Sequence, residues 1–247
     1  MESIHSQTFT LTFSESIENH TGMQVIGTRA EKGFSVEYLR ELSTRLGGEY
    51  IELGDDYQPD ACVIIFRDGL HKLCGIIPDE LYLEQHNLKK DTKCMMYGRV
   101  VNKRARHNLC FADMNQEPDY ENRKGTVLHF NTQPVLSKVR QSIHEVFGEE
   151  CKNLYCEGNY YYDIKKTYIG WHGDTERSKV IGVRLGADFP LHFRWYDRGK
   201  ECEEIHTFTL RHGDMYMMSH KATGTDWKKR SLRWTLRHSA GLLKNIK

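Results

Sequence analysis

The feature that most limits the fold is a train of short strand-like runs that fills the second half of the chain. Ile169–His172, Lys179–Gly186, Leu191–Trp195, Ile205–Leu210, Asp214–Ser219 and Ser231–His238 follow one another, with Gly173, Gly186, Gly199, Gly213 and Gly224 as punctuation. Short runs rich in β-branched and aromatic residues, broken by glycine, are strand and turn chemistry. So many strands bury their apolar faces best as a closed or nearly closed antiparallel double sheet. A helix precedes them: Pro134 stands near its first turn, Leu136, Val139, Ile143 and Phe147 share one face, and Gly148 stops it. The chain therefore reads as α+β.

Residues 1–88 carry weaker signals. Thr8–Phe13 alternates as a strand, and Ser35 caps a helix bearing Val36, Leu39, Leu42 and Leu46, which Gly47-Gly48 ends. Ala61–Phe66 reads as a strand and Pro78–Leu88 as a helix. The expectation is an N-terminal extension or flanking subdomain over 1–88 and a main domain over 89–247.

With 38% hydrophobic and 28% charged residues in 247, the chain can bury a sizeable core, which excludes intrinsic disorder. No apolar run approaches 18 residues and the start has no basic-then-apolar leader, so a soluble, intracellular, monomeric protein without a membrane anchor is expected. Seven cysteines, odd in number and scattered, read as reduced packing thiols.

His172-Gly173-Asp174 carries the first chemistry. Residues two apart on a strand point the same way, so one imidazole and one carboxylate share a face. That is two thirds of a 2-His-1-carboxylate iron site, which leaves coordination positions open. A His-x-Asp pair alone also suits a surface strand end.

The surrounding residues narrow the choice. Asn159-Tyr160-Tyr161-Tyr162-Asp163 is followed by Ile169-Gly170-Trp171-His172-Gly173-Asp174-Thr175-Glu176, then by Leu185-Gly186-Ala187, Phe193-Arg194, Leu210 with Gly213-Asp214 and Met218, and Thr235-Leu236-Arg237. This series resembles the AlkB-like family of Fe(II)- and 2-oxoglutarate-dependent dioxygenases over about residues 94–240. The resemblance implies a double-stranded β-helix (jelly-roll) core with flanking helices, Fe(II) as metal and 2-oxoglutarate as cosubstrate. It implies oxidative demethylation of alkylated DNA or RNA bases, in which a hydroxylated N-methyl group leaves as formaldehyde. It also implies His172 and Asp174 as iron ligands, and Asn159 and Tyr161 as hydrogen-bond partners of the cosubstrate.

Two family positions depart from the pattern. Lys228-Lys229 follows Trp227 where the distal histidine is expected, and a protonated lysine is a poor ligand. His220, at the end of the strand around Met215–Ser219, is the favoured replacement. His238 stays open, although regular alternation turns it away from Arg237, and so does a degenerate site. Ser231 stands where the family carries its first arginine. The resemblance makes Arg237 a cosubstrate clamp, and alternation through Ser231, Arg233, Thr235 and Arg237 favours Arg233 over Arg230 as its companion.

On the substrate side, Lys89–His107 holds seven cationic side chains against Asp91 alone, a local net charge of +6 in a protein of +1. Such a stretch can hold a phosphate backbone or be plain solvated surface. Arg104, Arg106, His107 and Phe111 are the substrate-binding candidates, within a nucleotide-recognition lid over 94–131. Single-stranded or damaged DNA or RNA is the expected partner, since no apolar finger for base flipping is evident. The alternatives are a hydroxylase of a protein or small molecule, or a catalytically degenerate binding module of the same fold.

Overall fold

In the segment TFTLTFS every second side chain is apolar, so a strand there has one greasy and one polar face. It forms β1 (Thr8–Ser14), and all seven residues are buried because the strand lies inside a sheet, antiparallel to a neighbour on each side. The computed structural model describes residues 6–246.

Next come the hairpin β2 (Ser16–Glu18) and β3 (Val25–Gly27), then α1 (Val36–Leu46). Ser35 Oγ accepts from the Tyr38 amide at 3.1 Å to cap α1, and Gly47 at φ +71° ends it. β4 (Glu49–Glu52) and β5 (Cys62–Phe66) lead to the helices α2 (Gly69–Cys74) and α3 (Pro78–His86). β6 (Lys93–Met96) and β7 (Arg99–Asn102) make a separate hairpin, followed by β8 (His107–Ala112) and β9 (Val127–His129). α4 (Pro134–Phe147) has the predicted bounds and buries the predicted Leu136, Val139, Ile143 and Phe147.

The strand train follows: β10 (Tyr155–Tyr161), β11 (Ile169–His172), β12 (Val180–Gly186), β13 (Phe189–Asp197), β14 (Lys200–Glu201), β15 (His206–Leu210) and β16 (Met215–Met218). A single helical turn, α5 (His220–Thr223), precedes the last strand, β17 (Trp234–Ala240).

Two sheets result. The larger has the order β4-β5-β16-β12-β1-β10-β8-β9, antiparallel except for the parallel β8–β9 pair. The smaller has the order β11-β17-β13, with β14 and β15 both paired to β13. Phe9, Leu11, Phe13, Ile181, Val183 and Leu185 on the outer face of the large sheet pack against Leu39 and Leu42 of α1, Leu81 of α3 and the apolar stripe of α4. Val63, Ile65, Val180, Tyr216 and Met218 on its inner face pack against Leu191, Phe193, Trp195 and Leu236 of the small sheet. The architecture is a half-barrel of two facing sheets with helices outside, a coarser form than the closed jelly roll expected.

β10, β12 and β16 go to the large sheet and the other strands of the train to the small one, and β1 fills the slot between β10 and β12. Of the expected N-terminal span 1–88, β1, β4 and β5 are strands of the sheet that carries β10, β12 and β16. The span 94–131 of the expected lid contains both a hairpin and strands of the large sheet. The β6–β7 hairpin stands apart, whereas β8 is paired to β10 within the large sheet. Among the described residues, no helix is long and apolar enough to cross a membrane.

Candidate metal centre and its cavity

β11 ends on His172, and an irregular register between Ile169 and His172 re-aims the strand end. Asp174 follows two residues later, with its Oδ1 3.6 Å from His172 Nε2. The third group arrives from β17: His238 is the ladder partner of His172, and its Nε2 lies 3.8 Å from the same Oδ1. The imidazoles meet edge to face with ring centres 4.4 Å apart, and the three donor atoms all lie within 4.8 Å of one another. Two ligands at right angles, each about 2.1 Å from one ion, stand about 3.0 Å apart, so each imidazole needs to close on Asp174 by less than an ångström for the pair to share one divalent cation.

The third donor of this cluster is His238, and the favoured His220 lies outside it. Leu236, His238 and Ala240 share one face of β17; Leu236 lies in the core between the sheets, which turns His238 inward with it. His220 opens α5 instead, and its Nδ1 accepts the Gly33 amide at 2.9 Å, tethering the N-terminal segment.

The same alternation corrects the arginines. Arg237 points away from the cavity and stacks over Tyr196 at 3.7 Å and Trp227 at 5.1 Å from the ring centres. Arg233 precedes β17 altogether and lies over Trp234. Neither lines the cavity. The expected polar face was chosen by its arginines, but the burial of Leu236 decides which face looks inward.

Electrostatics suit a cation. His172 Nδ1–H donates to the Gly170 carbonyl at 2.8 Å, which fixes the tautomer that leaves Nε2 free. Burial pushes both imidazoles down to about 4, with the Gly170 carbonyl opposing it at His172 and the neighbouring His172 reinforcing it at His238. Burial lifts Asp174 to about 6, against the pull of Arg177. At neutral pH the group is two neutral imidazoles and one carboxylate. Arg177 is buried among carboxylates, bonded to Glu157 and to Glu176 at 2.7 Å, with its Nε 3.7 Å from Asp174 Oδ2. It holds the ligand carboxylate in place.

The donors stand in the wall of a cavity of about 110 Å³ between the sheets. Opposite them the large sheet contributes Thr10 and Thr12 of β1, Glu157, Asn159 and Tyr161 of β10, and Arg184 of β12. Asn159 and Tyr161 line the cavity. Asn159 Oδ1 accepts from Arg106 Nε at 2.5 Å and from Asn108 Nδ2 at 2.8 Å. Glu18, His20 and Thr21 next to the β2–β3 hairpin and Trp227 with Lys228 complete the lining.

Of the expected substrate residues, only Arg106 reaches the cavity. Phe111 is fully buried in the core beneath α4, because β8 continues the large sheet and turns alternate side chains toward the helices. His107 stacks on Tyr162, with ring centres 4.6 Å apart. Arg104 is exposed beside the β6–β7 hairpin, in a groove with Lys93, Tyr97 and Arg99.

The sequence reads Arg177 and Arg184 as surface groups within reach of substrate phosphates, whereas both are buried in the cavity wall, and it gives Thr10 and Thr12 no role. Two signals point inward: the threonine stripe of TFTLTFS, and Arg184 in the otherwise apolar run VIGVRLG.

No family model matches the chain. It is 44% identical, over 255 aligned positions covering 98% of this chain and 98% of the relative, to "Uncharacterized protein R156" of Acanthamoeba polyphaga mimivirus. The site geometry is that of a 2-His-1-carboxylate cluster in a half-barrel of two facing sheets.

Proposed function

The chain belongs to one family with this mimivirus protein, and we propose that it is an Fe(II)- and 2-oxoglutarate-dependent dioxygenase of the AlkB-like type that demethylates alkylated nucleic-acid bases. The observation that carries this reading is the convergence of His172, Asp174 and His238 at one end of a polar cavity between two facing sheets. Iron with 2-oxoglutarate and dioxygen would supply, when bound, oxidative chemistry in which one oxygen atom goes to succinate as the oxo acid loses CO2 and the other to the hydroxylated C–H carbon.

The residues of the chain have the remaining tasks. His172, Asp174 and His238 would hold the ion, and a three-donor set of this kind would leave it room for further ligands. Arg177 keeps Asp174 oriented and, with Glu157 and Glu176, fixes the wall around it. Asn159 and Tyr161 offer polar groups to the cosubstrate. Trp227 and Met218 supply apolar surface that limits water in the cavity.

The nucleic-acid part of the reading is supported by the β6–β7 hairpin, where Tyr97 stands 90% exposed beside Lys93, Arg99 and Arg104. An exposed ring among cations suits a single strand, which needs a stacking platform and phosphate contacts. A second reading, hydroxylation of a small molecule or protein side chain, is favoured by the inward turn of the basic run: Lys103 is buried against Asn19 and Asn108, and Arg106 is spent on Asn159.

The test is succinate and formaldehyde release by the iron-loaded chain with methylated single-stranded DNA and RNA. Formation of both products only with a methylated strand is expected. Succinate without formaldehyde moves the assignment to the second reading, and no metal binding at all sinks both.

A further inference from the structure

Among the described residues, Lys103 is the only buried lysine. It follows β7 directly, and its backbone amide donates to the Thr92 carbonyl at 2.8 Å, which closes the base of the β6–β7 hairpin. An ammonium out of water is costly unless acceptors surround it. Here they are amide oxygens: Nζ donates to Asn19 Oδ1 at 2.7 Å and to Asn108 Oδ1 at 2.9 Å. Asp91, whose charge also reaches it, is already committed to Asn19 Nδ2, the Tyr120 hydroxyl and Thr126. Burial brings the ammonium down to about 8, which leaves it a cation at pH 7.

From Asn108 the contacts run inward to the metal centre. Its Nδ2 donates to Asn159 Oδ1 at 2.8 Å, and Asn159 Nδ2 donates to Glu157 Oε1 at 3.1 Å. Glu157 Oε2 accepts from Arg177, whose Nε lies 3.7 Å from Asp174 Oδ2. An amide has one accepting and one donating end, so in a buried row each amide fixes the orientation of the next. The Lys103 cation must face the Asn108 oxygen, and an Asn108 turned the other way would set its carbonyl against Asn159 Oδ1. Arg106 Nε holds that same Asn159 oxygen from the cavity side. Asn159 is thereby left with its NH2 toward Glu157, and the second oxygen of Glu157 is free to hold Arg177 beside Asp174.

We propose that Lys103 and Asn108 are positioning residues for the metal ligand Asp174, acting through Asn159, Glu157 and Arg177, so that the stem of the β6–β7 hairpin is tied to the metal centre. This rests on the reading of the triad as a metal site. The cation at the far end of the row sets the direction of every hydrogen bond up to Arg177.

The test is Co(II) loading of the full chain, read by calorimetry and by the visible ligand-field bands, which report the geometry of the donors around the ion and not the stability of the fold. Lys103→Met is expected to shift the bands and to weaken Co(II) about fivefold, since Arg106 still holds Asn159. Asn108→Asp keeps an acceptor for Lys103 but offers no donor to Asn159; it is expected to shift the bands and weaken Co(II) in the same way, and it carries the test should Lys103→Met not fold. Tyr120→Phe removes a hydrogen bond to Asp91 beside the row and none within it, so it is expected to lower the melting temperature and leave bands and affinity as in the parent. Unshifted bands with an affinity within about twofold of the parent, in either folded variant of the row, overturn the proposal and leave the metal site standing. So do equal changes in Tyr120→Phe, which mark the effect as a general loosening of the fold. A parent chain that binds no Co(II) overturns both readings.

Discussion

His238 faces His172 across the β11–β17 ladder, and Asp174 Oδ1 lies 3.6 Å from one Nε2 and 3.8 Å from the other. The metal site is therefore a property of two strands brought side by side, and neither strand contains it alone.

Replacing His238 by Ala is expected to weaken Zn(II) or Mn(II) binding by about 100-fold or more, since two donors remain of three. His220→Ala leaves the metal affinity unchanged, because that imidazole serves Gly33. Titration of both variants with a metal indicator checks the pair. The reverse outcome would return the third ligand to His220.

The pH dependence of metal binding follows from which form each donor must take. A cation needs ionised Asp174 and neutral imidazoles, and these groups titrate at about 6 and about 4. Affinity is expected to be flat above about pH 6, where all three are in the ligating form. It then falls about tenfold per pH unit as Asp174 takes its proton, and more steeply below about 4 as the imidazoles take theirs. Zn(II) calorimetry in a non-coordinating buffer measures the profile. A decline that begins near 6.5 with a slope of two would mean that ordinary histidines, and not Asp174, set it.

Gly173 separates the two ligands on the β11 side, and a Cβ there would stand 2.1 Å from the Gly224 carbonyl oxygen. Backbone cannot give way as a flexible side chain can. Gly173→Ala is expected to lower both the melting temperature and the metal affinity, whereas Gly75→Ala, with open space around it, strains only its own left-handed backbone. Thermal melts with and without Zn(II) separate the two effects.

Arg177 neutralises buried Glu157 and Glu176 as well as orienting Asp174. Arg177→Met strands those carboxylates in the interior, at an expected cost of about 3–5 kcal/mol to folding. Urea denaturation of the metal-free protein reads this directly. Arg237→Met, which removes only stacking over Tyr196 and Trp227, is expected to cost about 2 kcal/mol or less.

Tyr97 occupies the tip of the β6–β7 hairpin at φ +52°, followed by Gly98 at φ +73°, a tight turn that holds the ring in solvent. Tyr97→Ala is expected to reduce affinity for a single-stranded oligonucleotide about fivefold or more, as the loss of one stacking platform does. Fluorescence anisotropy at fixed salt measures it. Equal affinities would leave the hairpin without a nucleic-acid role and favour the small-molecule reading.

The sequence by itself determined the local structure and two of the three donors of the candidate metal site. Alternation and glycine punctuation placed β11, β12, β13 and β15–β17 to within a few residues, and the α4 stripe gave that helix its bounds. The His172-x-Asp174 spacing kept two donors close, because groups two residues apart at a strand end stay within reach of each other even where the strand stops at His172. Which face of β17 looks inward was a different matter. Alternation defines two faces and does not say which is buried, so Thr235 and Arg237 competed on equal terms with Leu236 and His238 until packing against the large sheet settled it. The place of β1 is of the same kind: TFTLTFS announces a strand with a polar stripe, but only pairing with β10 and β12, some 150 residues away, puts Thr10 beside Arg184 on the cavity floor. Contacts between distant segments are set by how the sheets pack together, and no local pattern encodes that.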